Sequence, residues 1–120
     1  MLAPMWIMIS GPYTSNAATA EARVENLRAM NRAALALFRK GHVPIIGVNL
    51  ALPVIEVAGQ DCLDEIMMPL SLAAAERCDA CVRVGGPSRG ADEEVERFRA
   101  KGKPVYARVE DVPPSEDREV

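Results

Sequence analysis

A strand, loop, helix and strand pattern in the last third of the chain constrains the fold most. The apolar run 80–84 is followed by a loop rich in glycine and proline, a charged segment from Ser88 to Lys101, and a second apolar run at 104–107. Ser88 is a favourable N-cap and Gly102 a favourable stop, so the charged segment predicts a helix of about three turns. A helix between two apolar strands predicts a parallel pair, because parallel strands need a crossover connection.

The first half of the chain repeats this pattern. Residues 6–10 are an apolar run that ends at a Gly-Pro turn, and a long segment with apolar residues at helical spacing follows as far as Gly41. Residues 43–48 form the next apolar run, in which Pro44 favours either an edge position or the first residues of a strand. The alternation of apolar strands and helices predicts one α/β domain built on a parallel sheet.

The middle of the chain is less regular. Residues 49–60 are apolar but interrupted by Pro53, so they fit either a short helix or a lid over a site. A second helix is predicted to begin near Asp61 and to run to Arg77, with Pro69 kinking it at about Met67 to Met68. This helix carries more apolar side chains than one sheet contact requires: Ile66, Met67, Met68, Leu70 and Leu72. The surplus predicts a homodimer or higher homo-oligomer with this helix in the contact.

Length and charge restrict the partners. The 120 residues carry a net charge of −3 with acids and bases interleaved, so polymeric nucleic acid and membranes are not expected partners. Three cysteines cannot all pair within one chain, which favours a reducing cytoplasm. Residues 1–109 are predicted to form a single α/β domain, and residues 110–120 an acidic, mobile tail.

The turn from Gly11 to Asn16 is the first candidate site. Glycine permits close backbone approach, and the N–H groups of a following helix would attract a phosphate or a hydroxyl-rich ligand. Alternatively, Thr14, Ser15 and Asn16 only cap that helix. The aromatic hydroxyl of Tyr13 has little structural purpose on such a loop, which favours a binding role. The chain has neither a dinucleotide-binding glycine fingerprint nor a P-loop, so no cofactor is expected.

Glu94 is the second candidate. At roughly 100° per residue, Ala91, Val95 and Phe98 share one face of the predicted helix, and Glu94 lies beside that face. The other acids of this helix project toward solvent, so Glu94 is the carboxylate expected to be partly desolvated. It also follows the carboxyl end of a strand, where open α/β sheets bind ligands. The alternative is a solvated, charged helix face without a function.

The cysteines are the third candidate. Cys78 and Cys81 have the spacing of a redox pair or half of a zinc site, and Cys62 with His42 would complete four ligands. Their positions favour packed, unreactive thiols instead, because Cys78 ends a helix and Cys81 enters a buried strand. His42 follows Gly41 and is predicted to cap helix carbonyls. No metal site is predicted, and a zinc or redox protein is the more distant alternative.

Both turns lie at the carboxyl edge of the predicted sheet, so Tyr13, Ser88 and Glu94 are expected to converge on one ligand. The segments around them carry a family resemblance. They are Ile-Ser-Gly-Pro-Tyr at 9–13, Glu-Arg-Cys-Asp-Ala at 76–80, Ser88-x-Gly90-Ala91-x-x-Glu94, and Gly-Lys-Pro-Val at 102–105. In order and spacing, over nearly all of residues 6–107, they resemble the nucleoside 2-deoxyribosyltransferase superfamily. The resemblance extends to its small bacterial members and to the 2′-deoxynucleoside 5′-phosphate N-hydrolases.

The resemblance implies an α/β, flavodoxin-like (Rossmann-like) three-layer fold with a four- or five-stranded parallel sheet. It also implies an N-glycosidase or deoxyribosyltransferase acting on a small nucleoside or nucleotide, with Glu94 as nucleophile and Tyr13 positioning the carboxylate or the sugar. Substrate contacts are expected from the two loops and the second helix: Gly11, Pro12, Asn16, Ser71, Ser88 and Gly90. Family members typically complete their sites with residues from a neighbouring subunit, in keeping with the predicted homo-oligomer.

Ser71 is a departure from the family pattern. Family enzymes commonly carry an aspartate there that assists protonation of the leaving base, and serine is not a comparable acid. Asp64 lies about two turns upstream on roughly the same helix face and is the alternative acid. The departure leaves two functions open: an enzyme, or a non-catalytic nucleotide-binding protein on the same fold.

Overall fold

A computed structural model describes residues 2–116. Over these residues the chain forms four β-strands and four α-helices, in the order β1 (Trp6–Ser10), α1 (Ala20–Arg39), β2 (Val43–Ile45), α2 (Gly47–Ala58), α3 (Leu63–Arg77), β3 (Ala80–Arg83), α4 (Arg89–Ala100) and β4 (Val105–Tyr106). Short 3₁₀ turns lie at Gln60–Cys62 and Val109–Asp111. In this part of the chain, no helix combines the length and the apolar character needed to cross a bilayer.

The four strands are all parallel and lie in the order β2-β1-β3-β4. This is the predicted α/β, flavodoxin-like three-layer fold, with four strands among the described residues. Pro44 lies in the edge strand β2, where a missing N–H is tolerated. The strand order reverses between β1 and β3, so the loops after these strands flank the crevice where such sheets bind ligands.

Side chains of β1 alternate between the two faces of the sheet, as the period of a strand requires. Ile7 and Ile9 belong to the core cluster that includes α1, whereas Met8 packs with buried residues of α3 and α4. Ser10 has the same parity as Met8, so its side chain lies on the face covered by α3 and α4. The last residue of β1 therefore directs a hydroxyl toward α4 at the carboxyl edge of the sheet.

The segment 49–60, which the sequence predicts as either a short helix or a lid, lies mostly within α2. This helix begins at Gly47, so β2 is shorter than the apolar run that predicted it. α3 is helical on both sides of Pro69, from Leu63 to Arg77. Gly47 lies against Ser71 of α3 so closely that a Cβ atom at Gly47 would stand 2.1 Å from the Ser71 Oγ. Only glycine fits this contact between α2 and α3.

Replacing Gly47 with alanine is expected to lower the free energy of unfolding by about 1–3 kcal/mol, the usual cost of overpacking. The added methyl would meet both the Oγ and the Cβ of Ser71, so the two helices have to separate. Urea unfolding followed by circular dichroism measures the change. Gly86→Ala is the matched control, because a Cβ atom there meets nothing within 4 Å. Equal stability of the two variants would contradict the close contact.

The N-terminus of α1 differs from the sequence prediction. The helix begins at Ala20, and its N-cap is Thr19, whose hydroxyl accepts a hydrogen bond from Ala22 N at 3.1 Å. Thr14, Ser15 and Asn16 therefore do not cap this helix, which begins four positions after Asn16.

Residues 110–116 are packed against the domain, where the sequence predicts a mobile tail. Val112 is 1% exposed and belongs to the core cluster that includes residues of α1. The Nζ of Lys40 donates hydrogen bonds to the carbonyl oxygens of Val109 at 2.8 Å and Val112 at 2.7 Å. The rest of the predicted tail, residues 117–120, lies outside the described residues.

His42 connects this C-terminal segment to the start of β1. The side chain is fully buried, and its Nδ1 accepts a hydrogen bond from Met5 N at 3.0 Å. Its Nε2 lies 2.7 Å from the carbonyl oxygen of Pro113. Because Nδ1 is the acceptor, a neutral ring carries its proton on Nε2 and donates it to Pro113. This bridging role between the two ends of the domain was not apparent from the sequence.

Candidate functional site

A cavity of about 360 Å³ opens where the loops after β1 and β3 meet α2 and α3. Most of the residues predicted from the sequence as site residues line it: Gly11, Tyr13, Ser71, Ser88, Gly90 and Glu94. The cavity lies where the strand order reverses, which is the usual ligand position in open α/β sheets. The fold therefore brings the two predicted loops and the second predicted helix to one place.

Pro12 and Asn16, the other two predicted site residues, do not line the cavity in the described part of the chain. Pro12 packs on Gly85, where a Cβ atom would stand 2.7 Å from the Pro12 Cδ. Asn16 is exposed and has a φ of 56°, a left-handed conformation that asparagine adopts more readily than most residues. Both residues shape the turn after β1, and the cavity wall is formed by other residues of that turn.

Two glycines allow the walls of the cavity to approach each other. A Cβ atom at Gly11 would stand 3.0 Å from Val84 Cγ2, so the loop after β1 lies directly on the end of β3. A Cβ atom at Gly90 would stand 3.3 Å from Met68 Sδ, which joins the start of α4 to α3. Glycine at both positions therefore allows these neighbouring segments to approach closely.

Glu94 is the buried carboxylate of the cavity. α4 starts after Ser88, whose Oγ accepts a hydrogen bond from Ala91 N at 3.2 Å and so caps the helix as predicted. From this start the helix turns Val95 and Phe98 into the core and leaves Glu94 only 9% exposed. The Ser10 Oγ donates a hydrogen bond to Glu94 Oε1 at 2.7 Å. The carboxylate is therefore held at the junction of α4 and the end of β1.

Burial raises the pKa of the Glu94 carboxyl from its ordinary value of 4.5 to about 7. The Ser10 hydrogen bond and the charge of Arg83 lower this pKa, and the charge of Glu93 raises it, but desolvation has the largest effect. A carboxyl with this pKa is close to half ionised at neutral pH. Carboxyl groups with strongly shifted pKa values in a cavity are typical of functional sites.

Ser10 is a site residue that the sequence analysis did not identify. Its signal is nonetheless present, because it is the one polar residue of β1, Trp6–Ser10. Arg89, exposed at the start of α4, also lines the cavity without having been predicted. Met67 and Met68, which the sequence assigns to a subunit contact, form part of the cavity wall.

Tyr13 and Ser71 occupy different surroundings in the cavity. Tyr13 lines the cavity, and its backbone oxygen accepts a hydrogen bond from Asn26 Nδ2 at 3.0 Å. The hydrogen bond to Glu94 comes from Ser10 and not from Tyr13. Ser71 is 1% exposed where it meets Gly47, whereas Asp64, on the same helix, is exposed at the cavity. The cavity is therefore lined by one buried acid, Glu94, and one exposed acid, Asp64.

The cysteines lie in surroundings that suppress thiolate chemistry. Cys78 and Cys81 are 1% and 0% exposed, and burial raises the pKa of both thiols to about 11. Reactive and metal-binding cysteines have the opposite shift, since the thiolate is the reactive form. Between residues 2 and 116, no three His, Cys, Asp or Glu side chains lie together in a way that could hold a metal ion.

No protein-family model matches the chain, and a comparison with curated proteins gives no significant match.

Proposed function

We propose that the protein is an N-glycosidase or deoxyribosyltransferase-like enzyme that acts on a small nucleoside or nucleotide, with Glu94 as its nucleophile. One observation carries the proposal: a buried, hydrogen-bonded carboxyl group opens onto a cavity at the ligand-binding edge of the sheet. A carboxylate in that position can bond to an electron-poor carbon or stabilise its positive charge. The resemblance to the nucleoside 2-deoxyribosyltransferase superfamily assigns this role to the same residue.

The size and the walls of the cavity suit a nucleoside. Its volume of about 360 Å³ falls toward the small end of ligand pockets. Met67 and Met68 provide a polarisable, apolar wall for a flat base. Ser88 and Glu94 provide polar atoms for the sugar, and the exposed guanidinium of Arg89 can pair with an anionic group such as a 5′-phosphate.

The proposed reaction has two steps. A carboxylate oxygen of Glu94 attacks the anomeric carbon C1′, and the C1′–N bond breaks with its electron pair going to the base. The departing base takes up a proton at its ring nitrogen. Water or a second base then attacks C1′ and gives up a proton to solvent, while the bond from C1′ to Glu94 breaks and releases the carboxylate. The result is hydrolysis or transfer. Neither step needs a cofactor.

Asp64 is the acid that this cavity offers to the departing base. Ser71 stands where the family resemblance expects an aspartate, and a serine hydroxyl is too weak an acid for that task. Asp64 lines the same cavity and is exposed, so it can exchange protons with solvent between turnovers. In this proposal Ser71 contributes to the cavity wall and Asp64 supplies the proton.

Release of free base from a panel of nucleosides and nucleotides tests the proposed function. The panel pairs each ribonucleoside with its 2′-deoxy form, and each nucleoside with its 5′-phosphate. Each compound is incubated with and without a second base as acceptor, and the products are separated by chromatography. Base release by the wild-type protein supports the proposal, and transfer to the acceptor distinguishes the two reactions. The absence of release from every compound would refute it.

A non-catalytic nucleotide-binding protein is the second candidate function. The observation that favours it is the serine at position 71, which leaves the cavity without its usual acid. Saturable binding of a panel member without release of its base would support this alternative. If the protein only binds nucleotides, Glu94→Gln is expected to change the affinity for the ligand, and neither the wild type nor the variant releases base.

We also propose a homo-oligomer, most simply a dimer, and the structure offers a contact surface on α2. Leu50, Val54 and Val57 are 45%, 49% and 90% exposed. Their spacing places them on one stripe of the helix. Three residues of the predicted contact at 67–72, Met67, Met68 and Ser71, line the cavity. The proposed contact therefore combines the exposed stripe of α2 with the other apolar residues of this part of α3, Leu70 and Leu72.

Sedimentation velocity at micromolar concentration is expected to give at least twice the monomer mass of 13.0 kDa. Val57→Lys should shift the protein toward monomer, because a charge in an apolar contact is costly to desolvate. Val24→Lys is the matched control, since Val24 is 53% exposed on α1 and lies outside the proposed contact. A monomeric wild-type protein would contradict the proposal.

We place the protein in the reducing cytoplasm, where it would act on free nucleosides or nucleotides. All three cysteines, Cys62, Cys78 and Cys81, carry free thiols in the described chain. The net charge is −3, and the basic residues of the sequence do not form a stripe of the kind that binds the backbone of a polymeric nucleic acid.

A further inference from the structure

A buried hydrogen-bond chain runs behind Glu94. Ser10 is 1% exposed, and its Oγ donates to Glu94 Oε1 at 2.7 Å. The Sγ of Cys81, on the neighbouring strand β3, lies 3.3 Å from the same Oγ. The register of β1 and β3 places Met8 beside Cys81. Ser10 is two residues after Met8, so its side chain is on the same face of the sheet and lies diagonally across from Cys81. The chain therefore links the middle of the sheet to the acid of the cavity.

The direction of this chain follows from the number of protons. A serine hydroxyl has one proton, and Ser10 uses it to donate the hydrogen bond to the Glu94 carboxylate. The Ser10 Oγ can then only accept from Cys81, so the thiol is the donor. Burial raises the pKa of the Cys81 thiol to about 11, and the thiol keeps its proton at neutral pH. Each donor in the series polarises the next one.

Only one oxygen of the Glu94 carboxylate is engaged in this way. Among residues 2–116, the hydrogen bond from Ser10 is made to Oε1, and no donor reaches Oε2. Glu94 also lines the cavity. One carboxylate oxygen is held by the sheet, and the other is left to meet a ligand.

We propose that Ser10, supported by Cys81, is the positioning residue for Glu94: its hydroxyl holds Oε1 so that Oε2 is presented to the ligand. This inference rests on the proposed function, and it gives Ser10 the part that the family resemblance gives to Tyr13. A hydroxyl that donates to a carboxylate stabilises the charged form, so Ser10 also opposes the effect of burial on the pKa of Glu94.

The titration of the Glu94 carboxyl, followed by ¹³C NMR of glutamate-labelled protein, tests the inference without any assay of activity. The wild-type carboxyl is expected to titrate at about pH 7. Ser10→Ala should raise the midpoint by about one pH unit, because the charged form loses its hydrogen bond. Ser10→Thr keeps the hydroxyl and should titrate like the wild type. Circular dichroism establishes that the variants are folded.

Cys81→Ala perturbs the same chain from its other end, so the test does not depend on a Ser10 variant alone. It should raise the midpoint in the same direction by a smaller amount, since Ser10 becomes a weaker donor. Cys78→Ala is the matched control, because Cys78 is as buried as Cys81 and its thiol pKa is also about 11. An unchanged midpoint in both Ser10→Ala and Cys81→Ala would overturn the inference.

Kinetics separate this inference from the proposed function. Loss of positioning should lower kcat about tenfold with KM changed by less than about twofold, and Ser10→Thr should restore most of the rate. If the wild type releases no base from any compound, the proposed function fails, while the NMR titration still decides whether Ser10 holds Glu94. If the wild type is active and Ser10→Ala matches it in both titration and kcat, the positioning inference alone is refuted.

Discussion

Replacing Glu94 with glutamine is expected to slow base release by on the order of a thousandfold or more, because the variant lacks the proposed nucleophile. The amide keeps the shape of the side chain, and its oxygen can still accept the Ser10 hydrogen bond. The loss should therefore appear in kcat and leave KM largely unchanged. Initial rates of base release for the wild type and the variant, on the best substrate of the panel, give the ratio.

Glu96→Gln is the matched control for this experiment. Glu96 lies on the same helix, but its side chain is 69% exposed and pairs with Arg99 at the surface. The control should keep a rate within about twofold of the wild type, since surface ion pairs contribute little. If Glu94→Gln kept a rate close to that of the control, Glu94 would have no part in the chemistry.

The helix that carries Glu94 could be predicted because its signals are local. Ser88 caps it, Ala91, Val95 and Phe98 recur at helical spacing, and Gly102 follows with a φ of 67°. The burial of an acid beside such a stripe follows from the same geometry. These features depend on neighbours within a few turns, which a sequence displays directly.

The partner of Glu94 could not be predicted in this way. The hydrogen bond from Ser10 joins two residues that lie 84 positions apart in the sequence. The sequence shows only that Ser10 lies on the same face of its strand as Met8. Which residue of α4 meets it depends on how the helix settles on the sheet. The expectation that Tyr13 positions the carboxylate or the sugar came from the family resemblance, which does not identify Ser10.

Two boundaries were missed because tertiary contacts override local patterns. The segment at 110–116 is acidic and contains two prolines, yet Val112 fills a core position and Lys40 donates a hydrogen bond to its carbonyl oxygen. The polar turn at 11–16 contains good capping residues, yet Thr19 caps α1.

The wild-type protein is expected to lose about 2–3 kcal/mol of stability between pH 5 and pH 8 through Glu94 alone. Burial raises the pKa of this carboxyl from 4.5 to about 7. Between these values the folded state holds a proton that the unfolded state has released. The stabilisation is therefore present at low pH and is lost as the pH rises through about 7. In Glu94→Gln no proton is bound or released at this position, and this dependence disappears.

Urea unfolding of the wild type and Glu94→Gln at both pH values measures the difference. The variant should be close to the wild type at pH 5 and more stable by about 2–3 kcal/mol at pH 8. Glu96→Gln should follow the wild type at both, because Glu96 is exposed. A constant difference between the wild type and Glu94→Gln would mean that the carboxyl is not desolvated. A carboxylate that weakens its own fold at neutral pH has no structural benefit, which is consistent with the role proposed for Glu94 in the cavity.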